Sequence, residues 1–585
     1  MVNRVEIGTR ADSGGAVQTS GSTWATIVTI GVIATVAAVV PLAVADRFGA
    51  LGIPRSDDWS YLVTLFRLTD SGELSFNHWV SMSLVGQLVL AAPVAVVSGS
   101  SIAAVQIETA LLGFAGLVLV ALAGARTLGA RWPGVLLAVT IAVGPLWGPL
   151  AVSYMTDVPA FAMSSLAMFL AVVGLSKRPV SLGWLTASMT VGAAAFTIRQ
   201  YAIVALLAAF LTGLWWFTTT ADQARARRIL AIGAALLVAS AAFFLWWRTV
   251  PDVRSLTPGL PDGHAARVAV VKGAGFLRLV GLSLLPVIAF ARPIELMRRS
   301  WRASHTFVWL TVVATGSWLA LSAWRVPKDI FVGNYLVRDG VLSDIVVIGR
   351  RPDVLGKPLW NAMVVVSSLA AIVLAVAAVR PIVGAIDRVR ARDWRLRDPV
   401  GVYLALTTVG YATSFVLAMA TGIQVYDRYV LPLLPAVGLL VLRAAAHAAV
   451  PRFARTTSRS WSPRLVLCSC SLLALAFVGF AFDVDSASFD GARWRAARAA
   501  VDQGWKPLEV NGGFEWLNYH RRGRPPEGSR QPGREAERAP TICVTVHVNP
   551  PGRPDDVVAV VESSAPTRST ARLVAFRTSH PCRDP

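Results

Sequence analysis

Charge is scarce in this chain. Asp, Glu, Lys and Arg make up 15% of its 585 residues, hydrophobic residues make up 55%, and the mean hydropathy is +0.56. Ordinary soluble domains carry about 25% charged residues, so this balance excludes one and points to a polytopic membrane protein. Acidic residues are the scarcer kind: 34 Asp and Glu face 55 Lys and Arg, a formal charge of +21. In a membrane protein such an excess marks the loops that stay in the cytoplasm, and it gives no call for nucleic acid as a partner. Cysteine is scarce too. Cys468 and Cys470 lie inside an apolar run, which leaves Cys543 and Cys582, in the polar C-terminal region, as the pair expected to form a disulfide if that region faces an oxidising compartment. No signal peptide is read at the start: residues 1–23 are polar and mix Asp and Glu with Arg, and the apolar run Trp24 to Val44 is too long for a signal-peptide core.

Apolar runs of spanning length, roughly 17 to 25 residues, fall at 24–45, 103–124, 133–152, 158–175, 181–198, 201–219, 229–247, 274–291, 306–324, 359–379, 400–421, 429–446 and 464–482. These predict an all-α polytopic fold with about thirteen transmembrane helices. A further run, 79–98, includes Ser81, Ser83 and Gln87, and it sets the parity of everything after it. If it does not cross and the N-terminus is inside, every inside segment is basic, from Arg126 and Arg131 through Arg225, Arg227 and Arg228 to RVRARDWRLR at 388–397. The short outside turns SYMTD (153–157) and GIQVYD (422–427) then carry no Lys or Arg. If 79–98 crosses, the arginine-rich segment 380–397 faces out, against the positive-inside rule. The run 79–98 is therefore expected to lie on the outer face as an amphipathic or re-entrant helix.

This topology divides the chain into a cytoplasmic tail (1–23), a transmembrane domain (24–482) and an extracytoplasmic C-terminal domain (483–585). Loops 46–102, 248–273 and 325–358 also lie outside. The last domain reads as small α/β: a helix-like GARWRAARAAVDQGW, a turn at NGGFEW, a Pro-, Gly- and charge-rich stretch, then β-like TICVTVHV, VVAVVESS and RLVAF. A bacterial cytoplasmic membrane is expected, from a composition rich in Ala, Val and Arg.

Four polar clusters share the outer side: Asp57 and Asp58 in SDDWSYL, Asp157 in SYMTDVPAF, Arg199 with Gln200 and Tyr201 in TIRQY, and Asp427, Arg428 and Tyr429 in YDRYVLPLLP. Each has a plain structural reading. SDD before an apolar stretch is a helix N-cap signal, as is Asp157 with proline in the first turn, and a lone arginine at a span end can snorkel to the interface. Taken jointly, ionised groups gathered at span ends in a chain that avoids charge elsewhere point to function.

In order and sidedness these segments resemble the GT-C-fold glycosyltransferases, in particular the protein O-mannosyltransferase and lipid A aminoarabinose transferase branch. The resemblance covers roughly residues 24–450. It departs in having Asp-Asp at 57–58 where Asp-Glu is common, and in the long tail. It implies a polyprenyl-phosphate-linked sugar as donor and a glycan, glycolipid or protein hydroxyl as acceptor. It also implies Asp57 as general base, Asp157 orienting acceptor or base, and Asp58 assisting or holding a divalent cation; the pair alone is a weak metal signal, and no metal ligand is assigned. Inverting transfer needs a carboxylate on the acceptor side and cationic stabilisation of the departing phosphate. Arg199 and Arg428, with Tyr429, fit the second requirement, and Asn334, Tyr335 and Arg338 form a possible substrate loop.

The competing class is a secondary transporter or flippase. Gly144, Pro145, Gly148 and Pro149 interrupt one span as a transporter helix would be, although no internal repeat accompanies them. Single cysteines at positions 100 and 392 test the topology: Ser100→Cys should label from outside and Arg392→Cys only from the cytoplasm. Labelling of both from the cytoplasm would overturn the parity.

Overall fold

A computed structural model describes residues 20–254, 259–260, 262–325, 331–342, 348–395, 397–446, 463–522, 542–550, 556–565 and 568–577. Helices occupy all thirteen predicted runs. Ten of them are long and apolar enough to cross a membrane, among them Ile102–Leu128, Asp157–Ser176, Gln200–Thr219, Asp427–Ala446 and Pro463–Asp502. The chain is an integral, multi-pass membrane protein. The other three runs fall short of that standard for local reasons. Run 133–152 breaks into Arg131–Ala142 and Trp147–Ala151, run 181–198 is the 15-residue helix Leu182–Phe196, and the helix Gly263–Ser283 carries Arg267, Lys272 and Arg278 before Leu285–Phe290. In the ambiguous run only Val85–Val97 is helical. At 1.5 Å per residue its 13 residues reach about 20 Å, short of a hydrocarbon core of about 30 Å.

The interruption at Gly144 to Pro149 has a packing cause. A Cβ on Gly148 would lie 2.5 Å from Cγ of Asp483 on the helix Pro463–Asp502, so the short helix Trp147–Ala151, buried throughout, is pressed against that neighbour. The break admits a helix crossing.

The helix Pro463–Asp502 ties the membrane part to the C-terminal part. Its 40 residues extend about 60 Å at 1.5 Å per residue, twice the hydrocarbon thickness. Its apolar half begins beside the other spans. Its polar half is buried again in a second core, where Val484, Phe489 and Trp494 pack against Trp505, Trp516 and Leu517 and against Val544, Val546 and Leu573 of a sheet. Because the helix continues unbroken past residue 482, the C-terminal unit is held at a fixed angle rather than on a linker.

Among the described residues that sheet has five strands: β1 (Ile348–Gly349), β2 (Val510–Asn511), β3 (Val544–Val548), β4 (Val557–Ala565) and β5 (Arg568–Arg577). The runs TICVTVHV, VVAVVESS and RLVAF supply β3, β4 and β5. They form antiparallel pairs, β3 with β5 (Val544 opposite Arg577) and β4 with β5 (Val560 opposite Val574). The two-residue strands both pair parallel with β3, and β1 comes from the loop 325–358, so the loop and the tail share one sheet. Cys543, just before β3, is disulfide-bonded, and Cys468 and Cys470 are free. Cys582, the partner predicted for Cys543, lies outside the described residues, as does most of the tail 1–23.

Gly491 measures how closely the long helix meets the loop 46–102: a Cβ there would fall 1.9 Å from the carbonyl oxygen of Phe48. Gly491→Ala is expected to cost about 3 kcal/mol through overpacking and to lower the melting temperature in detergent. Gly384→Ala, with nothing within 4 Å of its Cβ, should be neutral or stabilising by up to about 1 kcal/mol.

Candidate active site

Asp57 stands at the N-terminal end of the helix Asp58–Ser71, and its side chain makes no capping hydrogen bond. It accepts instead from Trp79 Nε1 at 3.1 Å and from Arg428 Nη2 at 3.1 Å, and its side chain keeps 23% exposure. Asp58 has the opposite setting. It is fully buried; one oxygen accepts from the Arg55 backbone N–H at 2.5 Å and the other from that of Tyr154 at 3.1 Å. Asp58 thus ties the loop 46–102 to the SYMTD turn, and burial raises its pKa against the pull of those two N–H groups. Of the acidic pair, only Asp57 is open to a substrate.

Asp157 begins the helix Asp157–Ser176, where a carboxylate favours the positive end of the dipole, and it too is fully buried. Its Oδ2 receives Arg199 Nη2 at 3.2 Å and lies 3.6 Å from Arg428 Nε. Arg199 sits between the helix Leu182–Phe196 and the tight turn Gln200–Ala202, with its Nε 2.5 Å from the Thr156 hydroxyl. Arg428 lies in the tight helical turn Asp427–Leu433. Residues 57, 157, 199 and 428, far apart in sequence, therefore form one chain of charges, Asp57 to Arg428 to Asp157 to Arg199.

Tyrosine rings surround the two guanidinium groups. Arg199 lies 4.5 Å from the ring centre of Tyr429 and 5.4 Å from that of Tyr201, and Arg428 lies 5.0 Å from Tyr426, 5.4 Å from Tyr335 and 5.7 Å from Tyr429. These are cation–π distances, and guanidinium suits such faces. Below them Tyr201, Tyr411, Phe415 and Tyr429 pack edge to face and tilted. The polar satisfaction is incomplete. Arg428 Nε and Nη1 and Asp157 Oδ1 are buried with no hydrogen-bond partner among the described residues. Donors left unpaired in a low-dielectric site are costly, and here they flank an exposed carboxylate.

The possible substrate loop divides. Tyr335 is buried with its ring toward Arg428. Asn334 adopts φ +95° and buries an Oδ1 that has no hydrogen-bond partner among the described residues. Arg338 is not brought to the site: it pairs with Asp353 at 3.0 Å within its own loop. Asp427 fixes the loop. Its two oxygens accept four backbone N–H groups, from Val332 (3.0 Å), Gly333 (3.1 Å), Tyr335 (3.1 Å) and Leu336 (2.8 Å), so the residue beside Arg428 carries the cover.

The C-terminal unit reaches the same place. Glu515 Oε1 accepts from the Ser56 N–H at 3.1 Å and its Oε2 from Arg493 Nη1 at 2.8 Å. Arg55 donates to Asp490 at 3.1 Å and to Ser486 at 2.7 Å. Phe514 packs on Trp79 at 5.0 Å and on Trp59 at 5.8 Å. Arg351 of the loop 325–358 donates to Asp485 at 2.6 Å. Sequence reasoning does not single out Glu515, Arg493, Asp490 and Phe514, because nothing local distinguishes them: Phe514 and Glu515 fall in the NGGFEW turn, Arg493 falls in the helix-like GARWRAARAAVDQGW, and Asp490 just precedes it. Among the described residues no three His, Cys, Asp or Glu side chains are grouped as a metal cluster.

Burial raises the Glu515 pKa above its ordinary 4.5 against the pull of Arg493. A carboxyl with a raised folded pKa binds more protons folded than unfolded, so its share of stability falls as pH rises upward from about 4.5. Glu515→Gln removes that dependence. The melting temperature of the wild type relative to Glu515→Gln should therefore decline from pH 5 to pH 7, and a constant difference would contradict it.

No family model matches this chain, and no curated protein does. Solved structures with a similar chain course include ArnT from Cupriavidus metallidurans bound to undecaprenyl phosphate, with 15% identity over 96% of this chain and 100% of that one and a TM-score of 0.37. They also include the oligosaccharyltransferase AglB from Archaeoglobus fulgidus in complex with an inhibitory peptide and a dolichol-phosphate, with 12% identity over 90% of this chain and 70% of that one and a TM-score of 0.41. At these scores the site has to be read from its own geometry.

Proposed function

We propose that this chain is an inverting glycosyltransferase that moves a sugar from a polyprenyl-phosphate carrier to a hydroxyl acceptor on a glycan, glycolipid or protein, at the outer face of a bacterial cytoplasmic membrane. The observation that carries the reading is the partly exposed Asp57 held against a buried guanidinium, Arg428, two of whose nitrogens have no hydrogen-bond partner among the described residues. A carboxylate open to substrate beside unsatisfied phosphate-type donors is what the reaction needs: a base on the acceptor side and cations on the leaving side.

In this reading the donor phosphate takes the unpaired Nε and Nη1 of Arg428, with Arg199 behind it. The phosphate then draws on the same guanidinium charge that holds Asp57 through Nη2, so the hold on Asp57 loosens and it is freed as a base when donor is in place. Asp57 takes the acceptor hydroxyl proton as the oxygen attacks the anomeric carbon. The bond from that carbon to the phosphate oxygen breaks, and the electron pair leaves on polyprenyl phosphate, whose charge the guanidinium groups hold. A low-pKa phosphate needs no acid to leave. Asp157 holds both arginines in place, and Asp58 positions the loop that carries Asp57. The tyrosines beneath Arg199 and Arg428 suit the first isoprene units. Trp79 and Phe514, on the other side of Asp57, suit the acceptor.

Asp57→Asn should lower kcat by a hundredfold or more while donor binding is no weaker. Arg428→Ala should raise the donor KM and lower kcat together, because the same charge is engaged before and during departure. Transfer by Asp57→Asn within a few-fold of wild type would rule out the base assignment.

A further inference from the structure

The helix Asp157–Ser176 carries Asp157 at one end and reaches a second polar feature at the other. Its 20 residues place the two about 30 Å apart at 1.5 Å per residue, a membrane thickness. At that far end is a cleft of about 670 Å³ in which five of the ten lining residues are cationic, Arg126, Lys177, Arg178, Arg225 and Arg228, and none is acidic. Its volume lies in the range of sites for small ligands.

A solvated basic face would spread such charges and pair them. Here they converge from two helices, Ile102–Leu128 and Gln223–Trp247, and from the loop after residue 176. Arg225 alone has a carboxylate, Asp222 at 3.4 Å, while Arg126 and Arg228 make no ion pair among the described residues. Lys177 and Arg178 are steadied over indole rings, 5.3 Å from Trp184 and 5.3 Å from Trp216. Arg126 also lines a second hollow of about 610 Å³ whose other walls include Leu122, Phe169 and Val173. One arginine therefore bridges a cationic cleft and a largely apolar groove along the membrane-facing sides of Ile102–Leu128 and Asp157–Ser176.

We infer that this paired feature is a binding site for an anionic phospholipid of the leaflet opposite the active site, its phosphate among Arg126, Arg228 and Lys177 and one acyl chain in the groove beside Leu122, Phe169 and Val173. Charge complementarity selects an anionic headgroup, since zwitterionic lipids carry a cation that five positive side chains repel. The groove selects a lipid over a free phosphate. The site is independent of the sugar-transfer chemistry, and binding rather than transfer is its readout.

The test is lipid retention by the full chain in detergent, followed by native mass spectrometry with dioleoylphosphatidylglycerol and dioleoylphosphatidylcholine. The wild type should hold at least one phosphatidylglycerol with about tenfold or greater preference. Arg126→Gln with Arg228→Gln should bind it about thirtyfold more weakly. Arg302→Gln with Arg390→Gln, which removes the same charge elsewhere, should not. Val173→Trp, which fills the groove and spares the charges, should weaken phosphatidylglycerol while leaving inorganic phosphate unaffected. Equal retention of the two lipids, unchanged retention by the Arg126/Arg228 variant, an equal loss in the control pair, or displacement of phosphatidylglycerol by inorganic phosphate at equal concentration would each overturn the proposal.

Discussion

Much of the candidate site is organised around one guanidinium. Arg428 is 1% exposed and lies between two carboxylates, 3.1 Å from Asp57 and 3.6 Å from Asp157. Removing a charge from water costs several kcal/mol unless partners compensate. The fold meets that cost with two acids from distant segments, three tyrosine faces and the tight turn that presents the residue. Compensation stops short of completion, because two of its nitrogens remain without a hydrogen bond among the described residues. A structural arginine would be satisfied more fully; Arg278, within the spans, donates to the Ser368 hydroxyl and the Leu319 carbonyl. Arg55 and Arg493, which tie the first loop and the tail together, each leave one such nitrogen, and Arg428 leaves two.

Holding Asp57 against that cation requires both ends of the chain. The loop bearing it is tied to the SYMTD turn by Asp58, to the helix Pro463–Asp502 by Arg55 and to the helix Phe514–His520 through Glu515. The loop that covers Arg428 is stapled by Asp427 and anchored again by Arg351 on Asp485, while its β1 strand joins the sheet of the tail. Rigid elements that hold a site from several sides keep it in its productive geometry. The C-terminal unit is thus part of the site's framework, with Phe514 packed on the tryptophan that donates to Asp57.

The spans were legible because hydropathy alone dictates them: a backbone in lipid must satisfy its own hydrogen bonds, and a helix does so. All thirteen apolar runs are helical, and the short helix Val85–Val97 explains why its run was ambiguous. The grouping of Asp57, Asp157, Arg199 and Arg428 was legible from their places at the ends of apolar runs, where scarce charges have few places to go. The division of labour within the acidic pair was not. Asp57 and Asp58 are neighbours in sequence, and only packing against Tyr154 and Arg55 buries one and leaves the other open. The clamps by Glu515 on Ser56 and by Asp485 on Arg351 depend on contacts across more than a hundred residues, which carry no local pattern, and Gly148 reads as a helix breaker until Asp483 is seen beside it.

The account rests on Arg428 being shared between Asp57 and the donor phosphate. The direct measurement is the affinity of the purified full chain for sugar-free polyprenyl phosphate, wild type against Asp57→Asn. Removing the competing carboxylate charge should tighten binding several-fold at pH 7, and Arg428→Ala in the same titration should weaken it. Binding to Asp57→Asn that is unchanged or weaker, in a protein that still folds and inserts, would contradict the shared-cation account.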